Sequence, residues 1–262
     1  GLCIERIKKQ SYKNYEIILV DSFSEDKTVE KAKRNGVEKI VKIKEYRPGK
    51  AINLGIEASK GKYIVILSAH CLPINKNWLT DLFEEINSDP ELAGVYGKQV
   101  PMDFSSDEDK RDLLIVFGED ERIQKKDSFF HNANSIIKRD VWEESNFNNE
   151  VENIEDRIWA GEILKKNYKI KYTPKAPVYH YHGIHQSGNS KRLEGVTKII
   201  EKISTAHKPG IIDHQNFEKC LVIPIKGEIP KFKNINLLEY MSESIFSSKY
   251  VDSYFVTTDN EN

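Results

Sequence analysis

The stretch Glu16-Ile17-Ile18-Leu19-Val20 is a continuous apolar run that stops at once in Asp21. A run that is continuous rather than alternating suits a strand buried on both faces, the situation inside a parallel sheet covered by helices. The pattern recurs at 39–43 and again at Tyr63-Ile64-Val65-Ile66-Leu67, which gives way to Ser68-Ala69-His70-Cys71. Between these runs, 29–35 reads as a short helix closed by Gly36, and 50–59 as a second helix after a chain break at Pro48-Gly49. Strands alternating with helices at this spacing predict an α/β sheet with right-handed crossovers. In such sheets ligands collect beyond the carboxyl ends of the strands. Asp21 and the segment 68–71 are therefore candidate site positions.

The remaining pattern extends this frame. Leu2, Ile4 and Ile7 give the chain an amphipathic helical opening, and residue 1 is Gly, so the start reads as a cut. A helix is expected over 78–87, a charged and mobile loop over 103–112, and another helix after Asn132-Ala133-Asn134-Ser135. Ile158, Trp159, Ile163 and Leu164 then recur at helical spacing, which puts Glu155 and Asp156 in the first turn, where the helix dipole favours carboxylates. Segments 169–172 and 178–182 read as two strands, and alternation places His180 and His182 on one face of the second.

Bulk properties narrow the classes. Lys+Arg 40 against Asp+Glu 41 leaves a net charge of -1, which lacks the basic field that nucleic-acid binding requires, so no nucleic-acid partner is expected. With 39% hydrophobic residues the chain can bury a large core. Its apolar runs are too short to cross a bilayer, so a cytoplasmic protein is expected. Cys3, Cys71 and Cys220 are isolated and odd in number, as suits reduced thiols.

The ordered set of signals resembles that of family-2 glycosyltransferases with the GT-A fold. The matching pieces are Tyr15 to Ser22 with Ser24 and Thr28, Gly49-Lys50-Ala51-Ile52-Asn53-Leu54-Gly55, Ala58 to Tyr63, and Leu67 to Pro73 with Trp78-Leu79. Gly94 to Gln99, Asn132-Ala133-Asn134, Glu155-Asp156 and His180-Tyr181-His182 continue it. The resemblance implies a Rossmann-like mixed sheet flanked by helices, with the family's first strand missing at the front. It further implies transfer of a sugar from a nucleoside diphosphate donor (UDP-, dTDP- or GDP-linked) to a glycan or lipid-linked acceptor in surface polysaccharide biosynthesis, with possible peripheral membrane association. Donor contacts would fall to Asp21, Ser22, Asp26, Lys50, Asn53 and Ser68. Asp156, with Glu155 beside it, resembles the general base of inverting members, a role chemically parallel to the activating carboxylate of inverting glycosidases.

One departure stands out. Where the family carries an acidic D-x-D-like motif for Mn²⁺ or Mg²⁺, this chain reads Ser68-Ala69-His70. Either His70 is itself a ligand, together with His180 or His182, or the site has lost its metal; imidazole ligands would favour Mn²⁺ or a softer ion over Mg²⁺. His185 is a weaker candidate, and Lys191-Arg192 reads as a basic loop. A rival function is a non-catalytic nucleotide- or glycan-binding module. The glycosyltransferase domain is expected over 1–215. From 216 the pattern resets: an apolar strand at 220–225, Lys226 and Lys233, a helix over 237–247 and a strand ending near 258 resemble the opening of a sugar-acid cytidylyltransferase, in which such lysines would meet CTP phosphates.

Overall fold

The computed structural model describes residues 1–37, 39–184 and 190–204, together with short backbone strands between 220 and 258. The chain divides into two units, Gly1–Ile203 and Ser204–Asn262.

The first unit opens with α1 (Leu2–Lys8), β1 (Ile18–Asp21), α2 (Thr28–Arg34), β2 (Lys39–Lys42), α3 (Pro48–Glu57) and β3 (Tyr63–Leu67). It continues through β4 (Cys71–Pro73), α4 (Trp78–Asn87), β5 (Leu92–Pro101), α5 (Asp107–Val116), β6 (Arg122–Gln124) and β7 (Asn134–Lys138). The last elements are α6 (Arg139–Glu144), α7 (Glu155–Lys165), β8 (Lys169–His180) and α8 (Ser190–Ser204). Strands β1 and β2 form a parallel pair, and α3 packs on β1 with Gly55 against Val20. The larger sheet has the order β3-β7-β5-β8-β4, with β6 added to β8. It is mixed: β5 and β8 run parallel, whereas β7 is antiparallel to both β3 and β5.

Alternation across this sheet divides the core. Val95 and Ile136 face one way, into a layer with Trp78, Leu79, Leu82 and Ile86 of α4. Their neighbours Tyr96 and Ile137 face the other, into a layer with Leu113 of α5, Trp142 of α6 and Trp159 and Ile163 of α7. Both faces of the sheet are covered, which is why its strands read as continuous apolar runs.

Four elements differ from expectation. Pro48-Gly49 does not break the chain but starts α3, since a proline in the first helical turn forfeits only an N–H that has no intrahelical acceptor. Gly49 is required there, because a Cβ would collide with the Asn148 backbone carbonyl. The expected loop over 103–112 is mostly α5, capped by Ser106, whose side chain accepts from the Asp109 backbone N–H at 3.2 Å. The two strands expected over 169–182 are one, β8; Pro174 and Pro177 withhold donors inside it, and its pairing with β5 shifts register between Gly97 and Gln99 instead of stopping. It ends at His180, so His182 lies beyond the strand. Lys191 and Arg192 begin α8 and are not in a loop.

In the second unit, β9 (Cys220–Ile225) pairs in parallel with a strand at Ser253–Thr258, and two short strands, Lys231–Phe232 and Ile235–Asn236, pair antiparallel. His185, Lys226, Lys233 and the helix expected over 237–247 lie outside the described residues.

Candidate functional site

The register brings four strand ends to one edge of the large sheet. Leu67 at the end of β3 faces Asn134 at the start of β7, and Pro101 at the end of β5 faces His180 at the end of β8. This is the carboxyl edge of the parallel pair, where an α/β sheet leaves its crevice.

Histidines occupy one part of that edge. Cys71 pairs with His180 across β4 and β8, which puts His70 beside His180: their Nε2 atoms are 3.0 Å apart and their rings stack at 4.9 Å. The His182 ring lies 4.5 Å from that of His70 and 4.6 Å from that of His180. One nitrogen from each of the three falls within 4.8 Å of the others. Burial lowers the pKa of His70 to about 4 and that of His180 to about 2, so both are neutral near pH 7, and across their 3.0 Å contact one Nε2 donates to the other. His131 stands edge-on to His180 with ring centroids 6.2 Å apart, and it too is lowered to about 4 by burial. Its Nδ1 accepts from Gln99 at 3.0 Å, which assigns its proton to Nε2.

These residues suit a divalent ion of the nitrogen-seeking kind. His180 is 1% exposed and its Nδ1 has no hydrogen-bond partner, an orphaned polar atom in a cluster of lone pairs. Two imidazoles sharing a tetrahedral ion at about 2.0–2.1 Å would sit roughly 3.3 Å apart, close to the spacing of His70 and His180. Mn²⁺ and softer ions accept such a donor set, whereas Mg²⁺ prefers oxygen.

Two segments hold this cluster in place. Asp109 of α5, 3% exposed, accepts from the Gly183 N–H at 2.6 Å, and Ser105 donates to the Tyr181 carbonyl at 2.8 Å. A Cβ on Gly183 would overlap Asp109. The turn carrying His182 is thereby tied to the start of α5.

Carboxylates occupy a second part of the edge. Asn132, just ahead of β7, bridges the acid pair at the start of α7: its backbone N–H donates to Asp156 Oδ2 at 3.1 Å and its Nδ2 to Glu155 Oε1 at 3.1 Å. Asp156 Oδ1 also accepts from the Arg157 N–H at 2.8 Å. Burial raises Asp156 to about 6; burial and then the charge of Asp156 raise Glu155 to about 7. The Arg192 charge opposes both shifts, and its guanidinium bonds to Asn153 two residues before the pair. Ile154 has φ 52 and ψ 32, a left-handed backbone at a β-branched residue. Strain of this kind costs about 1–3 kcal/mol and concentrates where a side chain must be aimed.

The other expected contacts separate. Asp21 ends β1 at 3% exposure; it accepts from Lys42 at 2.5 Å and from the Ser24 N–H at 3.2 Å, and these bonds hold its carboxyl below the usual range. Ser22 follows it in an exposed bend, and Asp26 accepts from the Thr28 N–H at 2.9 Å, which lowers it as well. Lys50 is half-buried in α3, and the Ser68 backbone is fixed by bonds to Ala133 and Cys71. Asn53 has a scaffolding job instead. Its Nδ2 donates to Phe147 O and Asn149 Oδ1, while its Oδ1 accepts from Trp142 Nε1 and the Phe147 N–H, which uses all four of its hydrogen-bonding positions.

Sequence reasoning assigned no role to Asn132, His131, Ser105 or Asp109. Ser106-Asp107-Glu108-Asp109 carries the spacing of a helix N-terminal capping motif, a signal that identifies α5. The clamping by Asn132 has no local signature, because its partners lie 23 and 24 residues away.

The mixed α/β sheet, with carboxylates and clustered imidazoles at its carboxyl edge, has the architecture of GT-A glycosyltransferases. The chain belongs to Glycosyl transferase family 2, whose profile matches residues 1–145. It is 26% identical over 196 residues to the O-antigen chain rhamnosyltransferase RfbN of Salmonella typhimurium, covering 68% of this chain and 61% of that one. With the glycosyltransferase GlyG of Streptococcus pneumoniae it shares 33% identity over 89 residues, 32% of this chain and 29% of the relative. The chain thus spans less than two thirds of either. Among solved structures, the fold is similar to that of a mannosyltransferase from Pyrobaculum calidifontis in complex with GDP-Man and Mn²⁺, with TM-score 0.60 and 20% identity over 79% of this chain and 60% of that one. It is also similar to S. aureus TarS 1-349, with TM-score 0.56 and 15% identity over 78% and 60%. The family match ends at residue 145, before the acid pair, His180 and His182. Their roles rest on geometry.

Proposed function

We propose that the chain transfers a sugar from a nucleoside diphosphate donor to a glycan or lipid-linked acceptor in surface polysaccharide synthesis, with inversion at the anomeric carbon and Asp156 as general base. The observation that carries this is the bridging of Glu155 and Asp156 by Asn132 on the same sheet edge as the histidine cluster. The Asp156 carboxylate takes the acceptor hydroxyl proton as that oxygen attacks the anomeric carbon; the bond to the diphosphate breaks and its electron pair leaves with the phosphate. Asn132 aims the carboxylate. Glu155, raised to about 7, carries the proton when the pair holds one, which leaves Asp156 ionised.

His70, His180 and His182 would hold a divalent ion, Mn²⁺ being favoured over Mg²⁺ by the imidazole donors. A bound ion supplies positive charge against the leaving diphosphate. Asp21, Ser22 and Asp26 follow the carboxyl end of β1, where a nucleoside would be read, with Lys50 and Ser68 as further contacts. A cytoplasmic location is part of this reading; among the described residues no helix is long and apolar enough to cross a membrane. We read 216–262 as the opening of a separate cytidylyltransferase-like domain, for which the parallel pairing of Cys220–Ile225 with Ser253–Thr258 is the support.

Nucleoside diphosphate release from UDP-, dTDP- and GDP-sugars, with and without Mn²⁺, tests the proposal. Turnover of one donor, abolished by Asp156→Asn, is expected. Donor binding without turnover under every metal would instead favour a non-catalytic binding module, the reading suggested by the absent D-x-D carboxylate.

A further inference from the structure

Beyond the carboxyl ends of β5 and β8, next to the histidine cluster, the protein leaves two large rings in water. Phe104 is 72% exposed and Tyr181 54% exposed, and their ring centroids are 5.8 Å apart. Tyr181 in turn stands edge-on to His182 at 6.3 Å. A single exposed aromatic needs no explanation, but two side by side at the mouth of a crevice form a surface that water covers poorly.

The pair is also rigidly mounted. Ser105, 7% exposed, accepts from the Met102 N–H at 3.2 Å, and its own N–H donates to the Met102 carbonyl at 3.0 Å, closing the turn that carries Phe104. The same hydroxyl donates to the Tyr181 carbonyl at 2.8 Å, so one buried serine fixes both backbones. Rings held this way lose little freedom when a ligand stacks on them.

We infer that Phe104 and Tyr181 form a stacking platform for a neutral sugar ring of the acceptor glycan. The identity of the occupant follows from chemistry. A pyranose offers an apolar C–H face to an aromatic ring and equatorial hydroxyls to acceptors at its rim, and the segment carrying Phe104 is acidic: Asp103, Asp107 and Glu108, one to four residues from it, are all exposed. Those carboxylates accept sugar hydroxyls and repel a phosphate or an anionic lipid headgroup. The platform meets the histidine cluster through Tyr181, whose ring touches that of His182. The assignment to the acceptor rests on the transfer reading above; the sugar-binding surface itself does not.

The test separates the two. The full chain is labelled and applied to a panel of immobilised neutral oligosaccharides, with UDP and GDP binding measured in parallel. Phe104→Ala and Tyr181→Ala are expected to weaken glycan binding roughly tenfold each while leaving nucleotide binding unchanged, and Tyr181→Phe to retain it. In an active preparation the same variants raise the acceptor KM and spare donor hydrolysis. Glycan binding lost in the alanine variants of a chain that never turns over donor supports the platform and sinks the transfer reading. Unaltered glycan binding in both variants overturns the platform, as does a loss of nucleotide binding in its place. Sedimentation with phosphatidylglycerol vesicles that depends on Phe104 and Tyr181 also overturns it, in favour of a membrane surface.

Discussion

Two groups of buried charge in the same unit are built on opposite principles. Glu85 of α4, 8% exposed, is paired with Lys171 of β8 and, at 2.7 Å, with Lys175; Glu121 bonds the same lysines at 2.9 and 2.7 Å. Signs alternate there, and the two lysines hold Glu121 below its ordinary range. At the start of α7, buried Glu155 and half-buried Asp156 lie side by side with the same sign, and both are pushed up. A network of alternating charges fastens α4 to the sheet. A like-charge pair does the reverse: it costs stability and, together with burial, pushes Glu155 up toward neutral pH, a shift of the kind that clusters at functional sites.

Substitutions should therefore act oppositely at the two places. Asp156→Asn removes a half-buried like charge and is expected to lower transfer by roughly 10²–10⁴-fold while the melting temperature holds or rises. Loss of stability in parallel with activity would break the contrast, because it would make Asp156 a structural charge like Glu85. Glu85→Gln leaves Lys171, at 11% side-chain exposure, with Glu121 as its remaining carboxylate, and denaturant unfolding should show a loss of about 1–3 kcal/mol with turnover per folded molecule intact. A neutral outcome would mean that the network is worth no more than a surface pair. Asn132→Ala should fall between them. The backbone bond to Asp156 survives but the bond to Glu155 is lost, so about tenfold in kcat is expected with KM little changed, and Asn132→Ser should recover part of it.

The contrast also explains what could be read in advance. Tyr63–Leu67 and Trp78–Asn87 coincide with the expected runs because burial on both faces, or on one helical stripe, writes itself into local periodicity. Glu155 and Asp156 were legible as a helix start for the same reason. Their shifted acidity is not, since it arises from burial under distant segments, which the Asn132 hydrogen bonds only partly offset. A grouping of His70 with His180 or His182 is an expectation of the sequence, but the contact itself depends on Cys71 pairing with His180 across 109 positions of chain, a register no local pattern states. His182 was placed on a strand face that ends before it, and it reaches the cluster because Asp109 and Ser105 tie down the following turn. Segment 103–112 reads as a loop from its charge density, whereas the Ser106 side chain caps a helix that starts within it.

The pH dependence of the acid pair gives the finest test. Glu155 binds its proton more tightly folded than unfolded, its pKa being raised from 4.5 to about 7, so its protonated form stabilises the fold in full below pH 4.5 and that contribution is lost as pH rises toward 7. Unfolding free energy should fall across this window by an amount on the order of 1–2 kcal/mol, because part of the shift belongs jointly to Asp156. Transfer runs the other way. It needs an ionised base and should rise about tenfold per pH unit up to an apparent pKa near 6, then level off. Glu155→Gln separates the two curves: the stability slope should shrink while the rising limb of the rate keeps its position, since burial is what raises Asp156. A stability slope unchanged by this substitution would place the titration elsewhere and remove the physical basis for treating the pair as one unit.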